Sequence, residues 1–266
     1  MMEEFAVKRG QFLLFGDSIT QWSFSVGGWG QLLADRYQRR IDILNRGHSG
    51  YNTRWALETL PFIFDERETS NIRLVTVFLG ANDAALEDGD SLRQFVPLNE
   101  FKDNMKKIIQ QIRGVCPSDT EILLITPPPI CHDQRLEFQR KKYGSASSGR
   151  LERTNENTGK YAMAVEELAK SEGLRYLNLW SKMQQDREDW SIYLDDGLHL
   201  STQGSSLVFD LLMSTIPQHL QVKPCAITNG YGNSGSSSSI QHQFPWHDQI
   251  NHDDYQMLFK LKQQTS

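Results

Sequence analysis

The sequence predicts an α/β domain in which helices cover both faces of a five-stranded parallel sheet. Short apolar runs alternate with segments of helical period, a pattern typical of this class. The 266 residues suffice to bury one substantial core, and no repeat at a solenoid period is visible in the sequence. We therefore expect one main domain over residues 1–216, followed by an extension over 217–266.

Five apolar runs are the predicted strands. They span residues 12–15, 41–44, 74–79, 122–125 and 174–179. Segments of helical period lie between or after them, as βα units require. Residues 99–113 carry apolar side chains at helical spacing and Lys and Gln on the opposite face, which predicts a surface helix packed on the sheet. Further helices are predicted over 30–39, 53–60, 158–171 and 202–216, the last with Ser201 or Thr202 as its N-cap.

Two segments lack this regularity. Residues 130–150 show no period and are predicted to form a long insertion after the fourth strand, bordering the active site as a lid. Beyond residue 217 the composition shifts to Asn, Gly and Ser, which cannot bury enough apolar surface to order the segment. We expect this tail to be partly disordered, or to dock back through its last aromatic stretch.

Composition excludes several classes of protein. The net charge of -5 is mild, and charges of both signs are interspersed, which argues against nucleic acid or an anionic membrane as the main partner. Three cysteines without CxxC spacing suggest neither a disulfide framework nor a zinc site. No run approaches the roughly 20 apolar residues of a membrane span, and the acidic N-terminus lacks a signal-peptide core. We expect a cytoplasmic protein with a small-molecule ligand.

A candidate nucleophile follows the first predicted strand. Ser18 comes directly after Gly16 and Asp17, at the carboxyl end of the strand, where open α/β sheets bind ligands. A serine hydroxyl is a weak nucleophile until a base removes its proton. His199 is the best candidate base because Asp196 lies three residues earlier on one short loop and can orient its imidazole. Asp195 is the alternative orienting carboxylate.

Attack on an ester carbonyl also requires donors for the developing oxyanion. The segment after the third strand offers the amide of Asn82, and the segment after the second offers the backbone N–H of a glycine, Gly47 or Gly50. The N–H of Ser18 would be a third donor.

These blocks resemble those of the SGNH, or GDSL, hydrolase superfamily. The similar blocks, in chain order, are Gly16-Asp17-Ser18, Gly50, Gly80-Ala81-Asn82-Asp83 and Asp196-x-x-His199. The closer resemblance is to the isoamyl acetate-hydrolysing esterase group and its plant GDSL relatives, through residues 15–20, 27–30, 51–57 and 196–200. The resemblance spans about residues 11–215 and leaves the tail unmatched.

The resemblance implies a role for each matched residue. Ser18 would be the nucleophile, Asp196 and His199 would complete the triad, and Gly50 and Asn82 with the Ser18 N–H would form the oxyanion hole. It also implies a flavodoxin-like three-layer α/β/α sandwich with no metal or organic cofactor. A homodimer is possible by the same resemblance.

Some of these residues also have purely structural interpretations. A serine after a strand is more often a helix cap than a nucleophile, and Asn82 taken alone is better explained as a capping turn residue. Asp17 is predicted to brace the nucleophile loop through backbone hydrogen bonds. Gly28 and Gly30 lack the third glycine of a dinucleotide-binding motif, which favours a turn.

Aromatic and histidine residues outside the four blocks are harder to assign. Trp22, Phe24, Trp29 and Trp55 either wall a substrate pocket or pack between helix and sheet. The histidines at 242, 247 and 252 have no metal-ligand spacing.

The sequence thus predicts a serine esterase that hydrolyses small or short-chain carboxylic esters, acetyl esters in particular, through an acyl-enzyme. One alternative is a carbohydrate O-acetylesterase with the same machinery. An alternative of another class is a non-catalytic binding or interaction protein on the same fold.

Overall fold

The computed structural model describes residues 9–64 and 69–221, and the tail beyond residue 221, with its histidines and aromatic residues, lies outside these ranges. One five-stranded sheet forms the centre of the described chain. Its strands are β1 (Gly10–Gly16), β2 (Ile41–Gly47), β3 (Ile72–Phe78), β4 (Glu121–Ile125) and β5 (Arg175–Leu177). They lie in the order β2-β1-β3-β4-β5, and every neighbouring pair is parallel. This order has its topological switch point between β1 and β3, where ligands of such folds bind.

Eight helices accompany the sheet in the described residues. They are α1 (Ser18–Gln21), α2 (Trp29–Arg36), α3 (Thr53–Ile63), α4 (Leu98–Val115), α5 (His132–Tyr143), α6 (Asn155–Ser171), α7 (Leu179–Asp186) and α8 (Thr202–Thr215). Each of the helices predicted from the sequence is present, within a few residues of its expected ends. Ser201, one of two candidates, is the N-cap of α8, since its side chain accepts from Gly204 N.

Alternate residues of β1 face two separate cores. Phe12 and Leu14 pack with residues of α2, α7 and α8, including Leu33 and Val208. Leu13 and Phe15 pack on the other face with α3, α4 and α6. The predicted three-layer α/β/α sandwich of flavodoxin-like order is therefore confirmed.

The fifth strand is shorter than predicted. The apolar run 174–179 was expected to be extended throughout, but β5 ends at Leu177 and the chain turns into α7 at Leu179. The side chain of Asn178 accepts from Ser181 N and starts that helix, which the sequence analysis did not predict.

The insertion predicted at residues 130–150 contains a helix that the sequence pattern did not predict, since α5 occupies most of the segment. Its buried residues are Arg135 and Gln139, one helical turn apart. A helix whose buried face is polar carries no hydrophobic period, so the pattern that revealed the other helices was absent here.

The chain stays on the core slightly beyond the predicted domain end at residue 216. Leu220 is buried against α8, and Gln221 Nε2 donates to the carbonyls of Met213 and Ile216 at the end of that helix. Within residues 9–64 and 69–221, no helix is long and apolar enough to cross a bilayer.

Candidate active site

Ser18 lies where β1 passes into α1. Asp17 is the N-cap of this short helix, and its Oδ1 accepts from Ile19 N at 2.9 Å. The predicted bracing role of Asp17 matches this contact. Gly16 is tightly enclosed, because a Cβ there would lie 2.5 Å from Phe78 O. As the first helical residue, Ser18 has an N–H without an acceptor inside α1, so both its hydroxyl and its amide are available at the sheet edge.

A tight loop brings Asp196 and His199 together. Leu194 and Leu200 form an antiparallel bridge, and Asp195 N donates to His199 O at 2.9 Å to close the loop. Gly197 adopts a φ of +79° there and leaves no room for a side chain, since a Cβ would lie 2.5 Å from Arg135 N.

Ser18, His199 and Asp196 form a continuous hydrogen-bonded line. Ser18 Oγ lies 2.9 Å from His199 Nε2, and His199 Nδ1 lies 2.8 Å from Asp196 Oδ2. The carboxylate fixes the proton on Nδ1 and leaves Nε2 as an acceptor for the serine hydroxyl. The Trp22 ring packs on the imidazole with 4.3 Å between centroids. The Asp195 side chain makes no hydrogen bond to His199, so the geometry favours Asp196 as the orienting carboxylate.

Each carboxylate oxygen of Asp196 accepts two hydrogen bonds. Oδ1 accepts from the backbone N–H groups of Leu198 and His199, and Oδ2 accepts from His199 Nδ1 and from Arg135 Nη1 at 2.8 Å. Burial raises the pKa of this carboxyl, but the bonds and charge of His199 and the Arg135 guanidinium outweigh burial and hold the pKa well below its ordinary value. Asp196 is therefore a fixed negative charge beside the imidazole.

Gly50, not Gly47, lines the cavity that holds Ser18. Gly50 adopts a φ of +80°, and among the described residues its N–H has no acceptor. Gly47 instead pairs with Gly16 at the end of β2 and packs against the backbone of Gln21. The glycine that the family resemblance indicated is thus the one at the site.

The amide of Asn82 has a defined orientation. Its Oδ1 accepts from Arg153 Nη2 at 3.1 Å, and a guanidinium can only donate, so the other amide atom must be the nitrogen. That nitrogen donates to Tyr51 O at 2.9 Å and lies 3.4 Å from Asp17 Oδ2. The second contact is at the long limit of a hydrogen bond, which leaves one amide hydrogen weakly engaged.

A cavity of about 590 Å³ opens beside these groups. Its aromatic lining consists of Trp22, Tyr51, Trp55, Phe138 and Tyr143. Of the four aromatic residues considered in the sequence, only Trp22 and Trp55 line the cavity. Trp29 is fully buried and donates to Ile19 O, whereas Phe24 is partly exposed. Phe138 and Tyr143 lie on α5, so the insertion borders the site as expected.

Several polar residues at this cavity were missed by the sequence analysis. Among them are Gln94, Arg135, Glu152 and Arg153. Arg135, Glu152 and Arg153 are almost fully buried. Charged residues in segments without a hydrophobic period look like ordinary surface residues, and only the three-dimensional contacts show that they converge. Within the described residues, no three His, Cys, Asp or Glu side chains are arranged to hold a metal ion.

Asp17 in the nucleophile loop and its neighbour Asp83 are both buried carboxyl groups. Burial raises the pKa of Asp17 to about 7, partly offset by its hydrogen bond from Ile19. Burial also raises the pKa of Asp83 to about 6, although Thr53 donates to it from both its backbone and its hydroxyl. Both groups therefore favour their protonated forms more than an exposed carboxyl does.

Asp17→Asn should stabilise the protein more at pH 8 than at pH 5. The unfolded chain loses the Asp17 proton near pH 4 and the folded chain only near pH 7, so this group stabilises the fold at low pH and loses that contribution as pH rises through 7. Asparagine keeps an acceptor for Ile19 N without titrating. At about 1.4 kcal/mol per pKa unit, the gain in free energy of unfolding caused by the substitution should differ between the two pH values by the order of a few kcal/mol. Urea denaturation of both proteins at each pH measures it, and an equal gain at both contradicts the expectation.

Comparisons with known proteins identify relatives of this chain. The model of the GDSL-like Lipase/Acylhydrolase family matches residues 14–207. A GDSL esterase/lipase of Arabidopsis thaliana is 48% identical over 202 residues, which cover 76% of this chain and 83% of that protein. The isoamyl acetate-hydrolyzing esterase 1 homolog of Rattus norvegicus is 44% identical over 216 residues, covering 78% of this chain and 84% of that protein.

Solved structures with lower identity share the fold. A lipase/acylhydrolase from Enterococcus faecalis superposes with a TM-score of 0.56 at 23% identity, covering 76% of this chain and 93% of that one. The acetyl xylan esterase AlAXEase gives a TM-score of 0.58 at 19% identity, covering 78% and 100%. Because the family model extends from the end of β1 into α8, and relatives of this identity share most of the length, the chain belongs to the GDSL-like lipase/acylhydrolase family and is a carboxylic ester hydrolase.

Proposed function

We propose that the protein hydrolyses short-chain carboxylic esters, acetyl esters of small alcohols above all, through an acyl-enzyme formed on Ser18. The observation that carries the proposal is the hydrogen-bonded line from Ser18 through His199 to Asp196. It lies beside the N–H groups of Ser18 and Gly50, which have no acceptor among the described residues. A nucleophile, a base and oxyanion donors are the three components that acyl transfer needs.

The first half of the reaction forms the acyl-enzyme. Ser18 Oγ attacks the ester carbonyl carbon while His199 Nε2 takes the hydroxyl proton. Asp196 stabilises the resulting imidazolium. The carbonyl oxygen becomes negatively charged and accepts from the N–H groups of Ser18 and Gly50 and from the Asn82 amide. When the intermediate collapses, His199 returns the proton to the departing alcohol.

The second half releases the acid. Water occupies the space left by the alcohol, His199 Nε2 removes its proton, and the hydroxide attacks the acyl carbonyl. The same donors hold the second oxyanion. Collapse breaks the bond to Ser18 Oγ, which recovers its proton from His199, so the residues return to their starting state.

The proposed substrate class rests on the relatives. The rat relative is named for hydrolysis of isoamyl acetate, and it shares 44% of the aligned residues. The cavity of about 590 Å³ has room for an ester of that size. The named substrate of the relative favours a small acyl group and a small alcohol over a long-chain lipid.

A carbohydrate O-acetylesterase is the second candidate. Its support is the mixed lining of the cavity, where aromatic rings such as Trp55 and Tyr143 stand beside the polar side chains of Asp90, Ser91 and Arg93. Sugars present apolar ring faces and hydroxyl groups together, and such a lining can contact both. Acetate release from isoamyl acetate and from acetylated xylo-oligosaccharides, measured side by side, separates the two candidates.

The chain-length profile tests the proposal directly. We expect kcat/KM for p-nitrophenyl esters to fall from acetate to butyrate to laurate, by at least about tenfold overall, since one methylene can cost that much in a fitted pocket. A preference for laurate would overturn the short-chain assignment. Labelling with a fluorophosphonate, followed by peptide mass spectrometry, should place the adduct on Ser18. A protein that stays unlabelled and inactive would favour the non-catalytic interpretation.

A further inference from the structure

Arg153 is a fully buried arginine whose guanidinium contacts the loop of Asn82 directly and reaches the loop of Gly50 through Gln94. Its Nε donates to Ala81 O at 2.8 Å, and its Nη2 donates to Asn82 Oδ1 at 3.1 Å. The same Nη2 donates to Gln94 Oε1. One side chain therefore holds the backbone before Asn82, the amide of Asn82 itself, and the side chain of Gln94.

Gln94 extends this contact to the second donor loop. Its Nε2 donates at 2.9 Å to the carbonyl oxygen of Gly50, the glycine that lines the cavity beside Ser18. Because Arg153 occupies Gln94 Oε1, the amide of Gln94 must turn its nitrogen to Gly50. The path from Arg153 through Gln94 thus holds the Gly50–Tyr51 peptide, which directly follows the peptide that carries the Gly50 N–H, while the direct bond holds the side chain of Asn82.

We propose that Arg153 is a positioning residue that sets the geometry of the oxyanion hole, acting on Asn82 directly and on Gly50 through Gln94. This inference rests on the proposed function, since it assigns a role toward the donors named there. Arg153 does not touch the substrate in this role. It keeps two donors in place before the negative charge develops, and such preorganisation is what gives an oxyanion hole its effect.

Glu152 keeps the buried arginine charge compensated and connects it to the triad. Its Oε1 accepts from Arg153 Nη1 at 2.6 Å and from Arg135 Nε at 2.8 Å. Arg135 in turn donates to Asp196 Oδ2. Two arginines and two carboxylates form one buried, electrically balanced chain. The oxyanion loops and the triad carboxylate are therefore held by a single network that spans both halves of the site.

Position 153 needs a planar side-chain group with several N–H donors in fixed directions. The guanidinium reaches Ala81 O, Asn82 Oδ1, Gln94 Oε1 and Glu152 in four fixed directions, which a lysine ammonium on a flexible stem cannot reproduce. Arg153→Lys retains the charge beside Glu152 but loses most of these fixed donors, so it separates positioning from charge compensation.

The test combines Arg153→Lys with Asn82→Ala in a double-mutant cycle on p-nitrophenyl acetate. Arg153→Lys should lower kcat about 10- to 100-fold with KM nearly unchanged, because misplaced donors weaken transition-state binding and leave substrate binding intact. Asn82→Ala should lower kcat about 10²- to 10³-fold. If Arg153 acts partly through Asn82, the double variant should be less impaired than the product of the two single effects.

The matched control is Arg150→Lys, an exposed arginine of the same segment that pairs with Asp88 on the surface. It should retain the kcat of the wild type. Circular dichroism and thermal denaturation show whether each variant folds. If Arg153→Lys fails to fold, Gln94→Met replaces it, because Gln94 connects Arg153 to Gly50 from a half-buried position at the end of a short 3-10 helix, Leu92–Gln94.

The outcomes separate this inference from the proposed function. A folded Arg153→Lys protein with wild-type kcat, or effects that multiply fully in the double variant, overturns the positioning role. With Gln94→Met, an unchanged kcat has the same meaning, and a loss of kcat at constant KM supports the role. An Asn82→Ala protein with full activity would instead remove the oxyanion assignment on which the inference depends.

Discussion

Ser18→Ala should reduce kcat for ester hydrolysis by about 10⁴- to 10⁶-fold, the range seen when the nucleophile of a serine hydrolase is removed. Alanine cannot form the acyl-enzyme, and water would have to attack the ester with only the oxyanion donors assisting. The loss should appear for acetate and butyrate esters alike, since it concerns the bond-forming step and not the fit of the acyl chain. Fluorophosphonate labelling should disappear together with activity.

The fold should survive this substitution. The Ser18 side chain has one hydrogen-bond partner among the described residues, His199 Nε2, and removing it leaves the Asp17 cap of α1 intact. Ser206→Ala is a matched control, because the one partner of the Ser206 side chain in the described part of the chain is the carbonyl of Thr202 on the exposed side of α8. A Ser18→Ala protein with the wild-type circular dichroism spectrum and more than a small fraction of wild-type activity would disprove the nucleophile assignment.

The sheet and most of its helices could be predicted because the side chains that they bury are apolar. Strands such as β3 and β4 are buried on both faces and read as continuous apolar runs, and α4 buries a stripe of apolar residues at helical spacing. The α5 helix could not be predicted in this way, since the residues it buries are Arg135 and Gln139. Hydrophobic patterning reports only the part of the core that is hydrophobic.

Some residues of the candidate site could be predicted from the sequence, and others could not. Ser18 and Asn82 follow the ends of strands, and Asp196 with His199 lies on one short loop, so chain order suggested that they meet. The choice of Gly50 over Gly47 came from the family resemblance. The catalytic roles assigned to the site stay predictions until the variants are measured. Arg135, Glu152 and Arg153 follow no strand and belong to no spaced motif. Their convergence depends on how the segment after β4 folds over the sheet edge, which the sequence pattern did not reveal.

Asp196→Asn should lower kcat by about 10⁴-fold, because the substitution disturbs the tautomer of His199. The native carboxylate accepts two donors at each oxygen: backbone N–H groups at Oδ1, and His199 Nδ1 with Arg135 Nη1 at Oδ2. An asparagine has only one oxygen. If its nitrogen faces His199 and Arg135, the imidazole must accept at Nδ1 and carry its proton on Nε2, where it cannot take the proton of Ser18.

The other orientation of the asparagine directs its nitrogen at the two backbone N–H groups of the loop. That arrangement places N–H donors against each other in a largely buried position, which lowers the free energy of unfolding by about 1 to 3 kcal/mol. Either way the substitution damages the site through Asp196 alone.

The matched control is Asp195→Asn, the neighbouring carboxylate whose side chain does not bond His199. We expect its kcat to stay far closer to that of the wild type, and urea denaturation to show a loss of stability only for Asp196→Asn. If the two variants lost activity equally, Asp195 would share the orienting role, and a full loss in Asp195→Asn alone would transfer that role to it.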